Sequence, residues 1–147
     1  MSTIRSQILD AAVVALNASG KPDDVPKAVR RRLRSLDLED LPFIDVVPLL
    51  ENAERIGGKF QGPLTKRTMR FAVRCWAAGA APEVAADAMV AWAVKALAGS
   101  GLGGLAHAIE EQETEWQGTV MDSVYGVAEI RFAVQYSTSF DDQEAVS

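Results

Sequence analysis

Residues 65–97 read TKRTMRFAVRCWAAGAAPEVAADAMVAWAVKAL, and the change of period inside this stretch decides the fold. Met69, Phe71, Val73 and Cys75 alternate with Thr68, Arg70, Ala72 and Arg74. An apolar set recurring at every second residue predicts a half-buried strand. Beyond Gly79 the period changes. Pro82 and Glu83 suit the first turn of a helix, and Val84, Ala88, Ala91, Trp92, Lys95 and Ala96 follow at helical spacing before Gly99 and Gly101 end it. A strand that runs through a short turn into a helix predicts a helix laid on a sheet face.

Toward the N-terminus, Ser2 or Thr3 can cap a first helix, because a hydroxyl there accepts from a free backbone N–H. Ile4, Ile8, Leu9, Ala12, Val13 and Leu16 then form one apolar stripe, closed by Asn17-Ala18-Ser19-Gly20 and the turn Lys21-Pro22-Asp23-Asp24. Residues 29–36 alternate weakly and predict a strand, with Val29, Arg31 and Leu33 on one side and Arg30, Arg32 and Arg34 on the other. Residues 43–47 are β-rich and bracketed by Pro42 and Pro48. Proline cannot donate to a ladder, so the two prolines are expected at the strand's ends. Residues 49–63 show no clear period, include Gly57-Gly58 and Gly62-Pro63, and carry Glu51, Glu54, Arg55 and Lys59. A loop that long in a compact domain suggests a contact arm.

Toward the C-terminus, Ser100-Gly101-Leu102-Gly103-Gly104 reads as a helix-ending turn; it follows a helix and lacks the Gly-Lys-Ser/Thr ending of a phosphate loop. Residues 106–117 form an extended acidic segment anchored by Ile109 and Trp116. Residues 127–136 alternate plainly, with Ala128, Ile130, Phe132, Val134 and Tyr136 on one face. The two are expected to pair antiparallel. Residues 141–147 read as a flexible acidic tail behind a single domain spanning residues 1–140. The expectation is an α+β domain with a mixed or antiparallel sheet of about four to five strands packed against two helices.

The chain has 147 residues, of which 48% are hydrophobic and 24% charged, which suits one globular domain burying about 70% of its extended-chain surface. No apolar run reaches the roughly 18 residues of a membrane helix, so a soluble protein without membrane partners is expected. The N-terminus lacks an apolar signal core. A single cysteine, Cys75, on the apolar face of a strand is expected to be a buried, inert thiol in a reducing compartment. The formal charge is −5, from 20 acids and 15 bases, which argues against binding nucleic acid by neutralising many phosphates. The charges are nevertheless segregated. Lys27, Arg30, Arg31, Arg32, Arg34, Lys66, Arg67, Arg70 and Arg74 form basic segments, while Glu110, Glu111, Glu113, Glu115, Asp141, Asp142 and Glu144 form acidic ones. Segregation of this kind suits self-association or a steered contact.

Catalytic readings fare poorly. His107 and Cys75 are the lone members of their types, leaving no Cys/His pair with spare ligands. Glu111, Glu113 and Glu115 would share a strand face, as a solvated or lumen-facing acidic surface, an all-carboxylate cation site, or, least favoured, an acid/base pair needing one raised pKa. Trp76, Trp92 and Trp116 stand singly and read as core or interface residues. No enzyme activity, cofactor or metal is expected.

Taken in order, the helix from Ile4 to Leu16, the segment Leu41-Pro42-Phe43-Ile44-Asp45-Val46 with Glu51 downstream, the strand from Thr68 to Trp76, the helix with Asp87-Ala88-Met89-Val90-Ala91-Trp92 and the closing strand from Ala128 to Tyr136 resemble the tail terminator proteins of long-tailed bacteriophages, the minor tail protein U-like, tail-completion family. The resemblance covers nearly the whole chain and rests on apolar patterns. It implies a homohexameric ring in the virion, assembled in the host cytoplasm, that caps the head-proximal end of the tail tube. Its implied partners are further copies of itself, the tail tube protein, the head-tail connector or neck protein, and genomic DNA passing through the lumen without specific binding. Head-to-tail rings need two different faces per subunit. Glu110, Glu111, Glu113 and Glu115 are then candidates for the lumen, and Arg30, Arg32, Arg34, Arg70, Arg74, Glu51, Glu54, Arg55 and Lys59 for contacts between subunits or with partners. The alternatives are another neck or head-completion protein and a small oligomeric ligand-binding or regulatory α+β domain.

Overall fold

In the computed structural model, which describes residues 3–30, 41–56, 64–78, 82–98, 100–106, 108–120, 124–139 and 142–146, the alternation around Phe71 produces a strand and the period change after Gly79 produces a helix. The elements are α1 (Ile4–Leu16), β1 (Ala28–Arg30), β2 (Phe43–Ile56), β3 (Leu64–Ala78), α2 (Pro82–Leu97), β4 (Ala108–Val120), β5 (Val124–Ser139) and β6 (Asp142–Val146). The strands form one mixed sheet in the order β1-β2-β3-β5-β4, with β6 pairing the end of β5. β1 runs parallel to β2; the other pairs are antiparallel. The fold is a single α+β domain.

One sheet face meets the helices. Ile44 and Val46 of β2, Met69, Phe71, Val73 and Cys75 of β3, and Ala128, Ile130, Phe132, Val134 and Tyr136 of β5 are all buried, as the period-two pattern requires. Phe71 and Phe132 are cross-strand partners with stacked rings, centroids 5.4 Å apart. α1 buries Ile4, Ile8, Leu9, Ala12 and Leu16 on this layer, each large side chain contributing about 2 kcal/mol. Thr3 caps α1, its side chain accepting from the Ser6 backbone N–H at 3.2 Å. At the other end the Asn17 side-chain amide donates to the Ala28 carbonyl at 2.9 Å and accepts from the Ala28 N–H at 2.8 Å, tying the helix end to β1. The Trp92 indole N–H donates to the Leu16 carbonyl at 2.8 Å and so joins the two helices.

α2 is apolar almost all round, and the structure chooses which side goes in. Ala86, Met89, Trp92, Ala93 and Leu97 are buried, whereas Val84, Ala88, Ala91 and Lys95, members of the stripe read from the sequence, face outward.

Three expectations need correcting. β2 does not end at Pro48. It continues to Ile56 because the β2–β3 register slips by one residue between Pro48 and Leu50, and this bulge accommodates a proline that has no N–H to give. The loop expected over residues 49–63 is therefore mostly strand, and its remainder, residues 57–63, lies outside the described residues. The expected tail instead supplies β6, whose Val146 pairs with Thr138 and Asp142 with Ser139. Of the strand expected over residues 29–36, only β1 is seen, residues 31–36 lying outside the described set.

Candidate functional site

The face of the sheet turned away from α1 and α2 is built from rungs of cross-strand partners. Leu50, Arg70, Ala133 and Glu110 form one rung across β2, β3, β5 and β4; Val47, Ala72, Arg131 and Glu113 form the next; Asp45, Arg74, Glu129 and Glu115 the third. Ala72 and Ala133 are buried among larger neighbours, and Val47 is buried beside them. Leu50 is 52% exposed, and Arg70 and Glu110 are exposed with no hydrogen-bond or ion-pair partner among the described residues.

Two ion networks cross this face. Arg74 grips Asp45 with two prongs, Nη2 to Oδ2 at 2.8 Å and Nε to Oδ1 at 3.2 Å. The Trp76 indole N–H adds a third donor to the same carboxylate at 3.3 Å, and the Arg74 guanidinium sits 5.7 Å from the Trp76 ring centroid. Arg131 donates to Glu113 at 2.7 Å, to Glu115 at 2.9 Å and to Glu129 at 2.9 Å. These hydrogen bonds, Glu113 first and Glu129 next, raise the guanidinium pKa further above its ordinary value.

A third cluster lies on the helix side. The bulge at Leu49 turns Glu51 inward, opposite Met69, where continued alternation would have turned it out. Its carboxylate accepts from Arg5 of α1 at 2.5 Å, from Arg67 of β3 at 3.3 Å and from the Tyr136 hydroxyl of β5. Arg67 reaches on to the Thr138 hydroxyl at 3.0 Å. Burial first, and the hydrogen bond to Glu51 second, push the Tyr136 phenol above its ordinary value. Burial, with the charge of Asp45 adding to it, pushes the Cys75 thiol up to about 12, so it stays protonated near neutral pH.

The acidic segment divides. A second bulge, between Glu111 and Glu113, sets Glu110, Glu113 and Glu115 on the open face and leaves Glu111 opposite Phe132 on the helix side. Glu111, Glu113 and Glu115 therefore do not share a face. Among the interface candidates, Arg30 binds within the chain, to Asp10 at 3.1 Å and Ser6 at 2.9 Å, Arg74 is committed to Asp45, and Glu51 to its inward cluster. Arg70 and Glu54 are exposed, and Arg55 lies in β2 opposite Thr65. Arg32, Arg34, Lys59 and His107 lie outside the described residues. Periodicity alone does not assign Asp45, Arg67, Arg131 and Tyr136 to these three clusters, although the alternation in β5 already puts Glu129 and Arg131 on one face.

Among the described residues no group of three or more His, Cys, Asp or Glu side chains is arranged to hold a metal ion, and no helix is long and apolar enough to cross a membrane. No protein-family profile matches the chain, and no curated protein matches it in sequence.

Proposed function

We propose that this chain is a structural subunit of a long-tailed phage virion, closing a ring on the head-proximal end of the tail tube, ending tube growth and giving the head/neck connector its joining surface. The observation that carries this reading is the unequal finish of one sheet. Helices cover one face. The other keeps exposed Leu50, Arg70 and Glu110 around the buried small residues Ala72 and Ala133. An exposed apolar side chain flanked by charged groups without partners favours a contact of defined register, which suits a protein partner. Glu113 and Glu115 are paired with Arg131, and Glu111, exposed on the other face of the sheet-edge strand β4, suits a neighbouring channel through which DNA slides, because carboxylates repel phosphates. The order of elements and its resemblance to tail terminators supply the direction of the inference.

The test is electron microscopy of purified protein, alone and mixed with tail tubes from particles lacking it. Rings with a central hole that seat on one tube end are expected, and particles lacking the protein should carry over-long tails without heads. Tails of normal length joined to capsids in its absence would overturn the proposal.

A further inference from the structure

We infer that the open sheet face receives helix α2 of the next copy of the chain, with Arg70 meeting Asp87 and Glu110 meeting Lys95 across the contact. The inference rests on the ring reading and deepens it by naming both surfaces.

Each half of the contact is present on the chain. On the sheet, Arg70, Ala133 and Glu110 occupy one rung, so Arg70 and Glu110 stand two strand spacings apart, about 10 Å. Between them on that rung stands only Ala133, whose side chain is too short to hold a partner away. On α2, Val84, Asp87, Ala88, Ala91 and Lys95 are exposed and, at about 100° per residue, fall within an arc of about 100°. Val84 is 68% exposed, well above what a stripe packed within its own domain would show. Asp87 and Lys95 are separated by about 12 Å along the axis, close to the sheet's own charge spacing. A helix laid across the strands can thus set Asp87 beside Arg70 and Lys95 beside Glu110, with Ala91, midway between those two, above Ala133. Leu50, beside Arg70, and Val84, one turn before Asp87, would meet at one end of the contact.

These four charges have no ion-pair partner among the described residues, unlike Arg74, Arg131 and Glu51. The two surfaces lie on opposite sides of the domain, helix layer and sheet layer. The contact is therefore heterologous, and repetition turns it into a ring or a filament. Subunits would stack like wedges, each sheet backed by its own helices and fronted by its neighbour's. Glu110 then belongs to the contact, and Glu111 on the helix side of β4 is free to face elsewhere.

The test uses the full chain in two charge-reversed forms, Arg70→Asp and Asp87→Arg, followed by native mass spectrometry across a concentration series and by electron microscopy on tube ends. Each form alone places like charges in every contact and should need at least about tenfold more protein to assemble. Mixed one to one, the two forms should recover assembly to within about threefold of the parent, in rings with equal numbers of each, because only alternating neighbours match. Circular dichroism melts check folding of each form; should either melt early, the pair Glu110→Lys and Lys95→Glu gives the same readout. Parent rings that neither reversal weakens, or that the mixture does not restore, overturn this contact and leave the ring reading standing. A parent chain that forms no ring in solution or on tube ends overturns both.

Discussion

Glu51 and Arg131 each gather several partners, one placed by a bulge in its own strand and the other meeting glutamates that a bulge in β4 places, yet one cluster lies on the helix side of the sheet and the other faces outward. The side chains of Glu51 and Arg67 are 13% and 12% exposed, whereas Arg131 is 33% exposed and its partners Glu113 and Glu115 are 60% and 49%. The chemistry is the same; the dielectric surroundings are not. A buried charge that loses its partner is left with an unmet desolvation cost, while a surface charge falls back on water and salt. The helix-side cluster is thus a structural joint between α1, β2, β3 and β5. The open-face cluster orients side chains at little cost to the fold.

Glu51→Ala should break this contrast most forcibly, losing about 3–5 kcal/mol in urea unfolding because the Arg67 guanidinium and Tyr136 hydroxyl lose their shared acceptor. A loss below about 1 kcal/mol would show that water reaches the cluster. Tyr136→Phe removes one donor from the same carboxylate and should cost about 1–2 kcal/mol near neutral pH. It also sharpens the comparison through pH. The folded-state pKa of Tyr136 is raised above its ordinary 10.0, so its contribution is full below pH 10 and is lost as pH rises toward the folded value. The difference in melting temperature between parent and variant should therefore hold up to about pH 10 and shrink above it. Arg131→Ala should move the unfolding midpoint least, and that small shift should fade by about 0.5 M salt, where exposed charges are screened.

Most of the architecture was legible because it depends on period. The stripe from Ile4 to Leu16 and the alternations around Phe71 and Phe132 each survive intact, and burial follows them. Reading failed where the period was interrupted. Around Leu49 a single inserted residue swaps the faces, so strand looked like loop and Glu51 looked like part of an exposed arm. Around Gln112 the same event hid that Glu113 and Glu115 stand beside Arg131. α2 was misjudged for the opposite reason, since alanines all round a helix give periodicity nothing to choose between. Cross-strand partnerships such as Asp45 with Arg74 depend on register, which lies in the pairing of distant segments and not in either segment alone.

The hydrogen bond from the Trp92 indole to the Leu16 carbonyl gives the molecule an internal optical gauge. Trp92 is 8% exposed, Trp76 is half-buried and Trp116 is 46% exposed, so a selective quencher divides their emission. The component that acrylamide reaches last comes from the seam between the two helices, and its red shift would time the moment at which α1 lifts from α2.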